Sequence, residues 1–500
     1  MAAIRLKGGY YTARSIIADA QACTNLYPER NTPESPATYT DYPTPGMAVL
    51  ATLAVPGPAR GLYTATNGEL YYVAGPNVYY VAPDWTVSLI GTIGTMESPV
   101  SMQDNGTDML IGDGSANSYA VALGSRIFSS SPIADYFGAS RLAALDTYLI
   151  GKMPGAATFF ASDSGGITFD PLWVANKVGY PDPLVTLAVA GREIWLIGSV
   201  TTEVWFNSGA ADFPFQRMEG PFVQHGTAAP NSVCQIGDAV FWLSTDRNGG
   251  NVALIGKEYN ATAISTMALH AEWTSYSDTS DAWTWAYQQE GHQFFVITFP
   301  SADKTWCYDI STGLWHRRAW TDGEGVEHRH RAACGTFAYG ANVVGDWETG
   351  TLYRLDQDAD TDAGDPIVRR RGFPHMVNDG DRLVYSKFIA DIEVGRSEGT
   401  SAGSPVAILL GSPGLGFGGI LSSPSQPDTS PKIYLRWSDD RGASWGNPVA
   451  RSMGATGQFL TSVQWTRLGM ARDRVFELFW SAPLKTALQG AFVTARKSGT

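Results

Sequence analysis

Seven times between residues 68 and 340 a Gly or Asp opens an apolar strand, a polar turn follows, and a second apolar strand closes the hairpin. The openers are Gly68, Gly106, Asp146, Gly191, Gly237, Gly291 and Gly340, spaced 38 to 54 residues apart. Segments such as GELYYVAGPNVYYV and GREIWLIGSVTTEVWF show the unit. One small sheet cannot bury both of its faces, so units repeating at roughly forty to fifty residues must stack on each other, as propeller blades do. Their strands read as near-continuous apolar runs rather than strict alternation, which is what sheets covered on both sides require. The expected fold class is all-β: a β-propeller with an extended N-terminal arm and a C-terminal β-rich region.

Helical periodicity is scarce. Only residues 13–22 and 484–488 offer short candidates. Residues 1–60 form a Pro-rich arm, NLYPERNTPESPATYTDYPTPG at its centre, whose Tyr27, Tyr39 and Tyr42 carry apolar area suited to lying on a neighbouring domain or subunit. Hairpin repeats fill 61–355, the acidic stretch beginning DQDADTDAGD marks a linker at 356–375, and strands resume over 376–500. A Pro- and Gly-studded stretch at 397–430 interrupts them and reads as a loop.

The net charge of −13 disfavours wrapping nucleic acid, and the longest basic run is Arg369, Arg370 and Arg371. An acidic wall would instead let DNA slide through a channel without sticking. Cys23, Cys234, Cys307 and Cys334 lack CxxC spacing and are expected as free thiols of a reducing cytoplasm. No apolar run is long enough to span a bilayer, and the start has no signal-peptide core.

Enzyme signatures fail on their context. GTSAG at 399–403 would make Ser401 a nucleophile, but no helix pattern follows it. GLGFGG at 414–419 is followed by Pro424, Pro427 and Pro431, which exclude a phosphate-binding helix. His328 and His330 fall on one side of a strand, with Glu327 and Cys334 nearby, but lack a third zinc ligand at typical spacing. The acidic stretch at 356–365 lacks the central Gly and closing Glu of a calcium loop. No catalytic residue, metal or cofactor is therefore assigned.

SDDRGASW fits the Asp-box pattern through Ser438, Asp440, Gly442 and Trp445. Ser438 and Asp440 are expected to bond the backbone of a hairpin turn, Gly442 to take an unusual φ, and Trp445 to pack beneath, a structural role. Asp boxes occur in sialidases and other propellers, so a glycan-binding or sialidase-like propeller is the alternative reading. It lacks an identifiable set of Arg residues and a Tyr/Glu pair.

Longer strings narrow the choice. GGYYTARSIIADAQACTNLYPE, TTEVWFNSGAADFPFQRMEGPFVQHGTAAPNSV, KTWCYDISTGLWHRR, WSDDRGASWG and WTRLGMARDRVFELFWSAP follow one another along nearly the whole chain. They resemble the packaged-DNA stabilisation proteins of short-tailed bacteriophages, also called tail accessory factors or tail nozzle proteins. The resemblance implies a structural virion protein made in the bacterial cytoplasm, not an enzyme. It would form a homo-hexameric ring below the portal and adaptor, close the filled head, and pass genomic double-stranded DNA at ejection. Tail fibre, spike or needle proteins would be further partners. Interface candidates are Phe213, Pro214, Phe215 and Arg217, an aromatic and basic cluster that inter-blade packing would use equally well, with Arg467, Arg472, Arg474, Tyr27 and Tyr42.

Overall fold

The computed structural model describes residues 2–4, 8–15, 19–35, 37–245, 250–394, 431–454 and 462–498. The candidate Ser401, the motifs at 399–403 and 414–419, and the whole of the expected loop at 397–430 lie outside them. The chain divides into two compact units, residues 47–315 with 329–356, and residues 1–46 with 316–328 and 357–500.

The first unit is the propeller. Blade 1 consists of Ala59–Thr64, Leu70–Ala74, Asn77–Val81 and Val87–Thr92 in antiparallel order. Blades 2 to 5 repeat this plan, starting at Ser101–Asp104, Arg141–Leu145, Leu184–Ala190 and Cys234–Ile236. Blade 6 starts at Trp283–Gln289, and blade 7 consists of Ala332–Ala338, Ala341–Asp346 and Leu352–Asp356. Gly46–Ala51 supplies the fourth strand of blade 7, so the N-terminal side of the repeat closes the ring. First strands touch in succession, and Ala332–Ala338 touches Ala59–Thr64, which makes a ring of seven blades among the described residues.

Each opener read from the sequence occupies the turn between the first and second strands of its blade. All seven have positive φ, from +49° at Asp146 to +93° at Gly106. Such a tight turn needs the left-handed region, where Gly is free of strain and Asp is tolerated. The apolar strands that follow pack blade on blade. Leu145, Ile150 and Phe159 meet Leu187, Ile194 and Trp205 between blades 3 and 4, and Trp195 meets Val240 and Trp242 between blades 4 and 5. Each such fully buried side chain contributes about 1.5–3 kcal/mol. Gly256 makes room for both indoles: a Cβ there would lie 2.7 Å from Trp242 and 2.8 Å from Trp195.

The second unit is a β-sandwich assembled from distant segments. One sheet runs Val463–Thr466, Leu383–Val394, Thr486–Lys497, Tyr39–Pro43, Leu26–Arg30. The other includes Cys23–Thr24, Arg369–Gly372, Asp473–Trp480, Lys432–Ser438 and Val449–Ser452 in that order. Leu26, Phe388, Trp465, Phe476, Trp480 and Leu488 share its core.

The linear division expected from composition therefore differs from the observed one. The first 46 residues cluster with the C-terminal strands, where Leu26–Arg30 pairs with Tyr39–Pro43, while Gly46–Ala51 and Ala59–Thr64 serve the propeller. Pro28 is tolerated because its strand lies at a sheet edge. The expected linker at 356–375 contains Arg369–Gly372, a strand with neighbours on both sides. The helix candidates also differ: Leu488 lies in the strand Thr486–Lys497, and among the described residues the α-helix is Met267–Thr274, capped by Thr266. With only eight residues it shows too little periodicity to be read from sequence.

Candidate interaction surfaces

The alternation of side chains along Arg369–Gly372 decides what the basic run can do. Arg369 and Arg371 are 1% and 0% exposed, so neither guanidinium reaches solvent. Arg371 pairs with the equally buried Asp41 at 3.1 Å and donates to the Gly8 carbonyl at 2.5 Å, tying the N-terminal segment to the sandwich. Burial pushes the Asp41 carboxyl up while Arg371 opposes that shift, and burial pushes the adjacent Cys23 thiol up to about 12. Arg370 points to the other face and joins an alternating chain of charges. Arg436 pairs with Glu477 at 2.5 Å, Glu477 with Arg370 at 3.7 Å, Arg370 with Glu327 at 2.5 Å, and Glu327 with Arg317 at 3.1 Å. The longest basic run is thus spent on the fold rather than offered to phosphate.

The Asp box forms a self-contained loop beside this face. Ser438 donates to Asp440 at 2.6 Å and accepts from the Gly442 amide at 2.7 Å, while the Ser444 amide donates to Asp440 at 2.8 Å. Hydrogen bonds from Ser438 and then Ser444 hold the Asp440 carboxyl down at about 2. Gly442 has φ +98°, and Arg436 lies 4.8 Å from the centre of the Trp445 ring. Ser438 and Asp440 direct their bonds into their own turn, which is a loop-building arrangement rather than a substrate site.

The other candidates separate. Phe215 is buried, and its ring lies 5.5 Å from Tyr148 and 5.9 Å from Phe213, which in turn lies 5.7 Å from Phe159. That is packing between blades 3 and 4. Pro214 is also buried, and Arg217 is half-buried on the outer strand Phe215–Val223. Arg474 is 1% exposed, forks onto Asp439 at 2.5 and 2.7 Å and donates to the Leu468 carbonyl at 2.5 Å. Arg467 and Arg472 are exposed. Tyr27 is buried opposite the half-buried Tyr42, ring centres 6.1 Å apart.

Sequence reasoning missed the connections between blades. Arg60, 0% exposed, donates to the carbonyls of Ser98 at 2.5 Å, Thr95 at 2.6 Å and Gly75 at 2.8 Å, so it pins the connection from blade 1 to blade 2. Lys177 pairs with Asp182 and donates to Thr201 at 2.6 Å, and Glu203, also 0% exposed, accepts from the Gly179 amide at 2.5 Å. These pin the connection from blade 3 to blade 4. The only signal in the sequence is a set of charges within apolar strands and a Pro-bounded loop, which does not reveal their partners.

Comparison with known proteins is consistent with this architecture. Residues 4–360 match the family model described as bacteriophage P22 Gp10, beta-propeller, and residues 414–496 match bacteriophage P22 Gp10, beta-sandwich. A search of curated protein sequences gives no match. Among solved structures, the WD40 beta propeller domain of Doa1 is similar at 11% identity and TM-score 0.38, over 62% of this chain and 96% of that one. The N-terminal domain of Nup159 is similar at 8% identity and TM-score 0.38, over 67% and 99%. The extracellular domain of BT4673 from B. thetaiotaomicron is similar at 7% identity and TM-score 0.43, over 62% and 40%. With a family match over most of its length, in a propeller followed by a sandwich, the chain belongs to the bacteriophage P22 Gp10 family of structural phage tail proteins.

Proposed function

We propose that the chain assembles as a homo-hexameric ring below the portal and adaptor, closes the filled head, retains the packaged DNA and forms the channel through which the genome leaves. The observation that carries this reading is the family match through both the propeller and the sandwich. Its role is structural rather than enzymatic, and its place is the virion tail, after synthesis in the bacterial cytoplasm. Adaptor proteins are its partners above, fibre, spike or needle proteins are partners at the tail, and DNA passes without sequence-specific contact. The net charge of −13 and the withdrawal of Arg369 and Arg371 into the sandwich suit a wall that does not hold phosphate. Closed rings of identical subunits are a common solution for such assemblies.

The test is nuclease protection of the genome in heads assembled without this chain, with purified protein added back. Heads that fill but leak, and are resealed by the added chain, support the closure role. Heads that hold their DNA without it overturn that role.

A further inference from the structure

In an antiparallel four-stranded blade, the connections from one blade to the next emerge on the same face as the turns between second and third strands. On that connector face the propeller exposes Val55 (60%), Met96 (64%), Val178 (68%) and Met267 (76%), from four different connections, with Tyr180 beside Phe222. Two of these connections are held from beneath. Arg60 fixes the backbone on both sides of Met96, and Lys177, Asp182 and Glu203 fix the loop that carries Val178 and Tyr180. Buried charges spent on holding a loop still, with apolar side chains left outside, describe a surface prepared for contact, because the ordering entropy is already lost before binding.

The charge on this face is mostly negative. Among the described residues of the connections and second-to-third-strand turns of this unit, the exposed charged groups are Glu97, Asp135, Asp278 and Glu348; the cations there are withdrawn, Arg331 buried and paired with Glu348 at 3.2 Å, and Arg329 half-buried over the Trp347 ring. The opposite face differs in exposing its cations, each beside a carboxylate: Arg126 with Glu69 at 2.7 Å, Arg192 with Asp146 at 2.7 Å and Lys257 with Asp238 at 3.0 Å. An acidic surface repels DNA and repels a second copy of itself. We propose that the connector face binds a protein partner whose contact surface combines apolar side chains with Lys and Arg. This rests on the tail reading above and adds to it which face meets the partner and what that partner must carry.

Hydroxyl-radical footprinting of the purified chain against the same chain in intact phage particles tests it. Oxidation of Met96, Met267 and Tyr180 should fall by about fivefold or more in the particle, because contacts at such a patch exclude water, while Tyr259 on the opposite face stays reactive. Equal oxidation in both samples, or protection at Tyr259 instead, overturns the proposal while leaving the tail assignment standing. Absence of the chain from purified particles overturns both. In add-back to particles lacking the chain, Val178→Glu combined with Met96→Glu should lower incorporation about tenfold at fixed concentration, and Ile127→Glu on the opposite face should not. Equal incorporation of the two variants also overturns it.

Discussion

The propeller and the sandwich are both all-β, but their cohesion has different sources. In the propeller each blade buries apolar strands against the next, as Phe159 does with Trp205 at 5.2 Å, so the packing joins blades that follow one another along the chain. In the sandwich, strands from residues 23–43, 369–394 and 432–497 meet across hundreds of residues around one core, and Arg369, Arg371 and Arg474 are buried in the same unit. A repeated local unit spreads stability over many equivalent interfaces. A sheet assembled from distant pieces concentrates specificity in a few charges, whose partners must all be present.

The contrast can be broken most forcefully at Asp41. Asp41→Ala strands a buried guanidinium and should destabilise the sandwich by about 3–5 kcal/mol. Hydrogen exchange should then quicken in Leu383–Val394 and stay slow in Glu193–Gly198, whereas equal acceleration in both would falsify the idea of separate sources of cohesion. Replacing both partners, Asp41→Leu with Arg371→Met, should recover most of the loss.

Within the propeller, Leu196→Ala at the junction of blades 3 and 4 should cost about 2–4 kcal/mol, seen as a lower urea midpoint. Exchange protection should drop first in blades 3 and 4 and least in blade 7. A sandwich that loosens equally would show that the two units share one stability.

Smaller still is the effect of a turn. Gly291→Val places a β-branched residue at φ +84° in open space, so only backbone strain acts, about 1–2 kcal/mol. The thermal midpoint should fall slightly, and an unchanged midpoint would mean that the turn relaxes freely.

The mildest test is pH at the Asp box. Asp440 has its carboxyl lowered from 3.8 to about 2 in the folded chain, so its contribution is present above 3.8 and is lost as pH falls through about 2. Protection of the Gly442 and Ser444 amides relative to their intrinsic exchange rates should fall as pH drops across that window, and Asp440→Asn should remove the dependence. A flat profile in the parent chain would show that the carboxylate does not hold the loop.

The openers from Gly68 to Gly340 were legible because a tight turn before an apolar strand leaves a local mark that recurs with each blade. The family strings were legible for a similar reason, being contiguous. The Asp box was legible for the same reason, since Ser438, Asp440 and Gly442 bond one another within a few residues. Arg369–Gly372 was not: three consecutive arginines look like a solvated linker until Asp41 and Glu327, far away in sequence, supply their counter-charges. Arg60, Lys177 and Glu203 were hidden likewise, because a charge in an apolar strand carries no mark of the carbonyl or amide it will meet.

The sequence by itself determined the repeated hairpin, the positions needing positive φ, the all-β composition and the resemblance that named a family, since each depends on residues close together in the chain. Tertiary structure alone decided that residues 1–46 join the C-terminal strands, that Phe215 packs between blades, that the basic run is withdrawn from solvent and that buried charges hold the connector loops. Those outcomes depend on pairings across long stretches of chain, and local periodicity holds no information about which distant strand completes a sheet or which distant carboxylate neutralises a buried arginine.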